Sequence, residues 1–339
     1  MPSGPLLFDR PARTEARDLI VALGLRFEPD YDDLAGLYDG DRLVACGARA
    51  GYVLKMLAIA PGYQGGEALG ALATPLVQSA LAAGHDTVFV FTTPGNASSF
   101  EALNFRLLAA YGKAALLEHG PGLEVYLEAQ ARLVTPGANG AVVANANPFT
   151  LGHLHLVESA ARQVDRLYLF VVREDRSAFP FPVRFRLAQE ATAHLANVTV
   201  LDTSRYAVSA ATFPSYFLKR LDEAAQAQMG IDLELFARRL APPFHIVHRF
   251  AGREPLDPTT AAYNRKMAEI LPAHGIRWTE LPRAEAAGGP ISASRVRAAL
   301  KAGETGPLKA LLPPCTLDFL GSPQAVPVIE RLRAATEGA

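Results

Sequence analysis

Short, nearly continuous apolar runs alternate along the chain with stretches whose apolar positions recur every three to four residues. That alternation predicts α/β architecture. In the first third, residues 51–60 and 87–93 read as strands. Between them a glycine-rich turn opens a predicted helix over 68–83. An apolar run at 123–127 is followed by Pro136, Gly137, Asn139 and Gly140, a cluster of helix- and strand-breaking residues that marks a linker. The pattern then restarts with a strand at 141–145, a tight turn, a helix over 152–164 and a strand at 166–172. Such a βαβ unit of about thirty residues predicts a parallel sheet with right-handed crossovers. Further strands are expected at 198–202, 244–250 and 277–280. The organisation expected is a domain over 1–130, a linker over 131–139 and a second domain over 140–339.

Length agrees with two cores: 339 residues exceed what one hydrophobic core usually fills. Half of the residues are hydrophobic, which argues against disorder. The formal net charge of -1 provides no general field for nucleic acid or an anionic membrane, so any phosphate site has to be local. Cys46 and Cys315 stand far apart and form no metal-ligand pattern. With no signal-like segment after Met1 and no apolar run of about 18 residues, the expectation is a reduced, cytoplasmic protein without a membrane partner.

The chemistry concentrates in two places. Asn145, Ala146, Asn147, Pro148, Phe149, Thr150, Leu151, Gly152 and His153 join the first strand of the second domain to its helix. A helix start carries unpaired N–H groups and about half a positive charge, which attracts phosphate. Gly152 allows close backbone approach, His153 can donate a ring N–H, and Thr150 adds a hydroxyl. Pro148 keeps the residue before it out of helical angles. The alternative is an ordinary βα turn capped by Thr150. His155, two positions on from His153, points about 200° away around the helix.

Far downstream, Gly288, Gly289 and Pro290 precede Ile291, Ser292, Ala293, Ser294, Arg295, Val296 and Arg297. Hydroxyls, a helix start and an arginine fork together make a second anion cradle, or else a serine-capped helix with solvated arginines.

The T-x-G-H turn with a late I-S-x-S-x-x-R resembles the HxGH nucleotidyltransferases, with Thr150 at the first motif position. The likeness extends to residues 170–175, to Ala211-Thr212-Phe213-Pro214-Ser215-Tyr216-Phe217, to residues 248–256 with Tyr263 and Asn264, and to 290–297. Across these segments the chain resembles the citrate (pro-3S)-lyase ligase family, over nearly its whole length and in the right order.

In the first domain, Leu57-Ala58-Ile59-Ala60-Pro61-Gly62-Tyr63-Gln64-Gly65-Gly66 resembles the pyrophosphate-binding turn of GNAT-type acetyltransferases, and Asn96, Phe100 and Leu103-Asn104-Phe105 resemble that fold's later half. Glu67 departs from the pattern, and no general base for acetyl transfer is visible. The expected fold is therefore a GNAT-like α/β domain followed by a doubly wound, Rossmann-like parallel-sheet nucleotidyltransferase domain. The first domain either binds a CoA-like arm through Gln64, Gly65 and Gly66 or is structural.

The family resemblance implies an AMP-forming ligase. Acetate and ATP give acetyl-AMP and pyrophosphate, and the acetyl group then passes to the phosphoribosyl-dephospho-CoA thiol on the acyl carrier subunit of citrate lyase. It implies His153, Thr150 and Arg297 as catalytic groups. ATP contacts are expected from Asn145, Asn147, Pro148, Phe149, Thr150, Gly152, His153, Ser292, Ser294 and Arg297. Arg184 matches a phosphate-contacting arginine of the superfamily, or is a solvated helix arginine. Thr212, Phe213 and Glu254 are expected at the substrate, with a capping carboxylate as the alternative for Glu254. Mg2+ is expected with the ATP phosphates and not in a protein cage. Other readings remain open: the carrier subunit of malonate decarboxylase as the acceptor, a generic nucleotidyltransferase, or a non-catalytic acyl-CoA sensor.

Overall fold

The structure is a computed structural model that describes residues 6–64, 67–173, 177–209, 211–213 and 221–334. It divides into two compact units, Met1–Glu128 and Ala129–Ala339.

The first unit runs β1 (Leu7–Asp9), α1 (Arg13–Ala22), β2 (Asp33–Asp39), β3 (Arg42–Ala50), β4 (Val53–Ile59), α2 (Ala68–Ala82), β5 (Val88–Thr92), α3 (Ala97–Glu101), β6 (Phe105–Tyr111), β7 (Ala114–His119) and α4 (Gly122–Gln130). Its sheet has the order β1-β2-β3-β4-β5-β7-β6. All pairings in it are antiparallel except β4 with β5. Those two strands pair only through Val53 with Phe89 and Leu54 with Val90. Beyond Leu54 the rest of β4 has no ladder to β5, and the chain turns at Pro61–Gln64. Leu72, Leu76 and Ala80 of α2 bury one helical stripe against Val44, Val88 and Leu117 of the sheet.

The second unit runs β8 (Asn139–Ala144), α5 (Leu151–Ala161), β9 (Leu167–Val171), α6 (Phe181–Thr192), β10 (Val198–Asp202), α7 (Glu223–Leu235), β11 (Ile246–Gly252), α8 (Pro258–Ile270), β12 (Arg277–Leu281), a small hairpin of β13 (Glu285–Ala286) and β14 (Gly289–Pro290), α9 (Ala293–Ala302), α10 (Pro314–Leu320) and α11 (Val326–Ala334). The five long strands are all parallel, in the order β10-β9-β8-β11-β12. Strand alternation separates two cores. Val142, Leu169 and Phe250 join Val157, Leu187 and Val296 on one face. Tyr168 and Phe170 face the other way, onto Phe244, with ring centroids 5.1 and 5.6 Å apart. Helices on both faces explain why β9 is buried along its whole length and reads as a continuous apolar run. Strand order reverses between β8 and β11, which are neighbours in space but far apart in sequence. At such a switch point the loops leave in opposite directions and open a crevice at the carboxyl ends of the strands.

The segment expected as a linker, 131–139, contains a 3-10 turn at Ala131–Leu133, and β8 already starts at Asn139. The Asn139 amide donates to the carbonyls of Thr135 (2.7 Å) and Phe244 (2.9 Å), tying the end of this segment into the second unit. No helix among the described residues is long and apolar enough to cross a membrane.

Candidate active site

A cavity of about 660 Å³ opens at the switch point. Its lining takes Asn145, Asn147, Thr150, Gly152 and His153 from the β8–α5 turn. Ala251, Gly252 and Glu254 come from the end of β11, Tyr263, Asn264 and Met267 from α8, and Ser292, Ser294 and Arg297 from the start of α9. The two motifs, some 140 residues apart, share one wall. A depression of similar size on the first unit is lined by Glu15, Asp39 and Asp41 against Arg42 alone, a charge balance unsuited to phosphate.

The turn before α5 is held from within. Ala146 sits in the left-handed region, with φ 50, and the Asn147–Pro148 peptide is cis. Thr150 caps α5: its Oγ1 accepts from the His153 N–H at 3.3 Å. In return the Thr150 N–H donates to His153 Nδ1 at 3.1 Å. A nitrogen that accepts this bond carries no proton, so the neutral ring bears its hydrogen on Nε2. Burial pushes the His153 pKa down to about 4, and the charges of Arg283 and Arg297 push the same way. At neutral pH His153 is therefore an uncharged donor whose tautomer is set by the capping box.

Gly152 has a reason different from ligand approach alone. A Cβ there would stand 2.8 Å from the Ile291 carbonyl oxygen, so the missing side chain is what lets the second motif close onto the first. Arg297 fastens the same junction. Its Nη1 donates to the Asn147 carbonyl at 2.6 Å and its Nη2 to Ser294 Oγ at 3.1 Å. Ser292 caps α9 by accepting from the Arg295 N–H at 3.2 Å, while Ser294 is exposed. Arg295 points away, onto the carbonyls of Ala287, Gly289 and Pro290.

Several expected contacts are not brought into the cavity. Arg184 is fully buried; Nε donates to the Phe179 carbonyl (2.8 Å), and Nη1 to the carbonyls of Val172 (2.7 Å) and Asn145 (2.8 Å). Neither solvated nor among the residues lining the cavity, it braces the end of β8 from behind. Pro148 and Phe149 are buried and do not line the cavity; the Phe149 ring instead supports His153, 5.4 Å between centroids. Asn145 and Asn147 do line it, but their side-chain oxygens accept from Ser177 Oγ (3.1 Å) and from the Phe179 N–H (3.0 Å). Glu254 lines the cavity as a loop cap. Its Oε1 accepts from the N–H groups of Leu256 (2.9 Å) and Asp257 (3.0 Å), and its carboxylate pairs with Arg283.

Thr212 and Phe213 lie one layer out. Phe213 stacks on Tyr263, 5.5 Å between centroids, and Thr212 bonds Ser209 and Asp232. Residues 214–217 of that segment, and Glu174 and Asp175, lie outside the described residues, as do Gly65 and Gly66. Gln64 is exposed, its side-chain amide donating to the Ile59 carbonyl at 3.0 Å.

The sequence reading missed Arg249, Asp232 and Arg283. Asp232 is wholly buried and accepts from the Val208 N–H at 2.7 Å and from the Tyr263 hydroxyl. Burial raises its pKa, opposed by those bonds and by the Arg249 charge. Arg249 lies between His248 and Phe250 in a central strand, and Asp232 between Ile231 and Leu233 in a helix. A charge at an inward position of an apolar element was the signal available.

The Citrate lyase ligase C-terminal domain family matches residues 139–320. A citrate (pro-3S)-lyase ligase from Klebsiella pneumoniae is 43% identical over 322 residues, covering 93% of this chain and 94% of its own length. One from Haemophilus influenzae is 37% identical over 299 residues, covering 85% and 88%. The chain belongs to the citrate lyase ligase family. Within that family the cavity lies inside the matched region, as do both motifs. Among solved structures, a GNAT-family acetyltransferase from Staphylococcus aureus Mu50 covers 34% of this chain and 98% of its own, at 11% identity and a TM-score of 0.29. The described residues contain no group of three or more His, Cys, Asp or Glu that could hold a metal ion.

Proposed function

We propose that this chain is an AMP-forming ligase that activates acetate with ATP in the switch-point cavity. The acetyl group then passes to the phosphoribosyl-dephospho-CoA thiol on the acyl carrier subunit of citrate lyase. The observation that carries this reading is the junction made by Arg297, which holds two helix starts against one cavity in a member of the citrate lyase ligase family. Two helix N-termini, a neutral His153 and the Arg297 fork supply donors and positive charge for a triphosphate without a general base. In the first step a carboxylate oxygen bonds to the α-phosphorus as the bond to the β-phosphate oxygen breaks, and pyrophosphate leaves. In the second the thiol displaces AMP and gives up its proton. The chain's part is alignment and charge neutralisation: His153 Nε2–H, the α5 start at Gly152, Ser292, Ser294 and Arg297 would hold the phosphates.

Mg2+ does not fit as a resident metal, given the donors present, and is read as travelling with the ATP phosphates. The first unit is read as the receptor for the pantetheine and phosphate part of the carrier's prosthetic group. Its support is the unladdered end of β4, the turn at Pro61–Gln64 that follows it, and the start of α2, which has no side-chain cap. A cytoplasmic setting belongs to the same reading, with both cysteines free.

The test is product analysis. AMP and pyrophosphate should accumulate from ATP only when acetate and the thiol-bearing carrier are both present, with the malonate decarboxylase carrier as the competing acceptor. ADP as the nucleotide product would overturn the adenylation mechanism.

A further inference from the structure

Arg249 is 2% exposed, yet Nη1 finds no hydrogen-bond partner among the described residues. Its guanidinium carbon lies 4.0 Å from the centroid of the Phe236 ring. Asp232 is near enough to feel its charge and the Tyr263 hydroxyl bonds its side chain, but Nη1 itself stays open. Leaving one donor of a buried guanidinium unpaired is costly in general. Such an expense persists where a ligand completes the site.

The position says which ligand. Alternation in β11 turns Phe250 into the core shared with Val157, and Arg249 and Ala251 to the opposite face. The cavity lining brings Val143, Val208, Ala251, Tyr263 and Met267 together with Arg249. Of the other arginines of the cavity, Arg283 pairs with Glu254, and Arg297, read above as a phosphate ligand, bonds Asn147 and Ser294. The Tyr263 hydroxyl donates to Asp232 and also bonds Arg249; burial raises its pKa well above its usual range, so it stays protonated. A planar cation in a lining that also offers Val143, Val208 and Met267 suits a monoanion with a short apolar tail. A dianionic phosphate would be undercompensated by that one cation.

We infer that this part of the cavity is the acyl subsite, and that Arg249 anchors the carboxylate of a small aliphatic acid within it. The inference rests on the ligase reading above and deepens it. The guanidinium fork neutralises and orients the carboxylate while one oxygen stays available for the α-phosphorus; no proton moves in that step. Met267 and Val208 then limit the length of the acyl chain.

The test uses the full-length chain and acetate-dependent exchange of pyrophosphate into ATP. Arg249→Gln should raise KM for acetate about 100-fold, the scale for removing one partner of a buried charge pair. Arg249→Lys should fall between it and the wild type, since a point charge cannot reproduce the fork. KM for ATP should stay within about twofold in both. Met267→Ala leaves the cation in place and should shift kcat/KM toward propionate or butyrate, relative to acetate, by about tenfold or more. It decides the matter if the Arg249 variants do not fold, as judged by circular dichroism.

Wild-type exchange with an unchanged acetate KM in a folded Arg249→Gln variant would overturn the subsite and leave the ligase reading standing. So would equal rises in the acetate and ATP constants, or a rise confined to the carrier thiol. Unaltered acyl selectivity in Met267→Ala would do the same. A wild-type protein without any acetate-dependent exchange would sink the ligase reading itself.

Discussion

A histidine near phosphates is usually pictured as a cation, but His153 is held neutral. Burial and two neighbouring arginines disfavour the charged ring, and Thr150 N–H occupies Nδ1, so Nε2–H is the donor that remains. His153→Ala should reduce turnover by about 10²–10³-fold, the scale for one lost transition-state donor. His155, outside the cavity lining, should tolerate alanine with little loss. Equal losses from the two variants would put catalysis on the wrong face of α5. The same shift has a consequence for stability. The pKa is near 4 folded and about 6.5 unfolded. The unfolded chain therefore binds more protons between those values, so the contribution is complete above about pH 6.5 and is lost as pH falls toward 4. His248, depressed to about 4 mainly by burial, adds in the same direction. Denaturant titrations at pH 7.5 and 5 should show a smaller acid loss for His153→Asn than for the wild type. An identical loss would show that the ring titrates alike in both states.

At the scale of elements, the site is a seam between two loop–helix starts, and its glycine and arginine belong to the seam before they belong to a ligand. Gly152→Ala would drive a methyl carbon into the Ile291 carbonyl, a backbone atom that cannot swing aside as a side chain can. The expected cost is about 1–3 kcal/mol, as for other overpacked contacts. Because the shift separates the two motifs, KM for ATP should rise as the melting temperature falls. A variant destabilised without loss of ATP affinity would show that the seam can open without disturbing the phosphate cradle. Arg184 works at this scale too: a buried fork on three main-chain carbonyls fixes where β8 ends and where Asn145 begins.

For the whole molecule, the cavity lies within Ala129–Ala339, and the first unit is proposed to recognise the acceptor. A charge placed in its glycine turn should therefore affect only the second half-reaction. Gly65→Asp should raise KM for the carrier thiol, with acetate-dependent pyrophosphate–ATP exchange unchanged. Abolished exchange would mean that both units serve a single adenylation site.

The periodicity of the sequence located the frame of the second unit well: 198–202 is Val198–Asp202, and 277–280 is Arg277–Leu281. Buried parallel strands are continuous apolar runs, and the periods of helix and strand differ, so local pattern suffices there. It was weaker over β2 and β3, where alanines and glycines blur the alternation. Both anion motifs were visible too, because a helix start, its cap and its glycine are neighbours in sequence. What the sequence determined, then, was local: element type, caps and the residue types able to meet phosphate. The tertiary structure decided which of those residues meet. Strand order brought β8 beside β11, and Arg297 onto the Asn147 carbonyl; the alternation of β11 turned Arg249 inward. It also withdrew Arg184, Phe149 and Thr212 into supporting layers. Such facts depend on contacts between residues more than a hundred positions apart, or on the face of a sheet that the fold happens to cover. No local period encodes them, since the free energy that selects them comes from burying whole surfaces together.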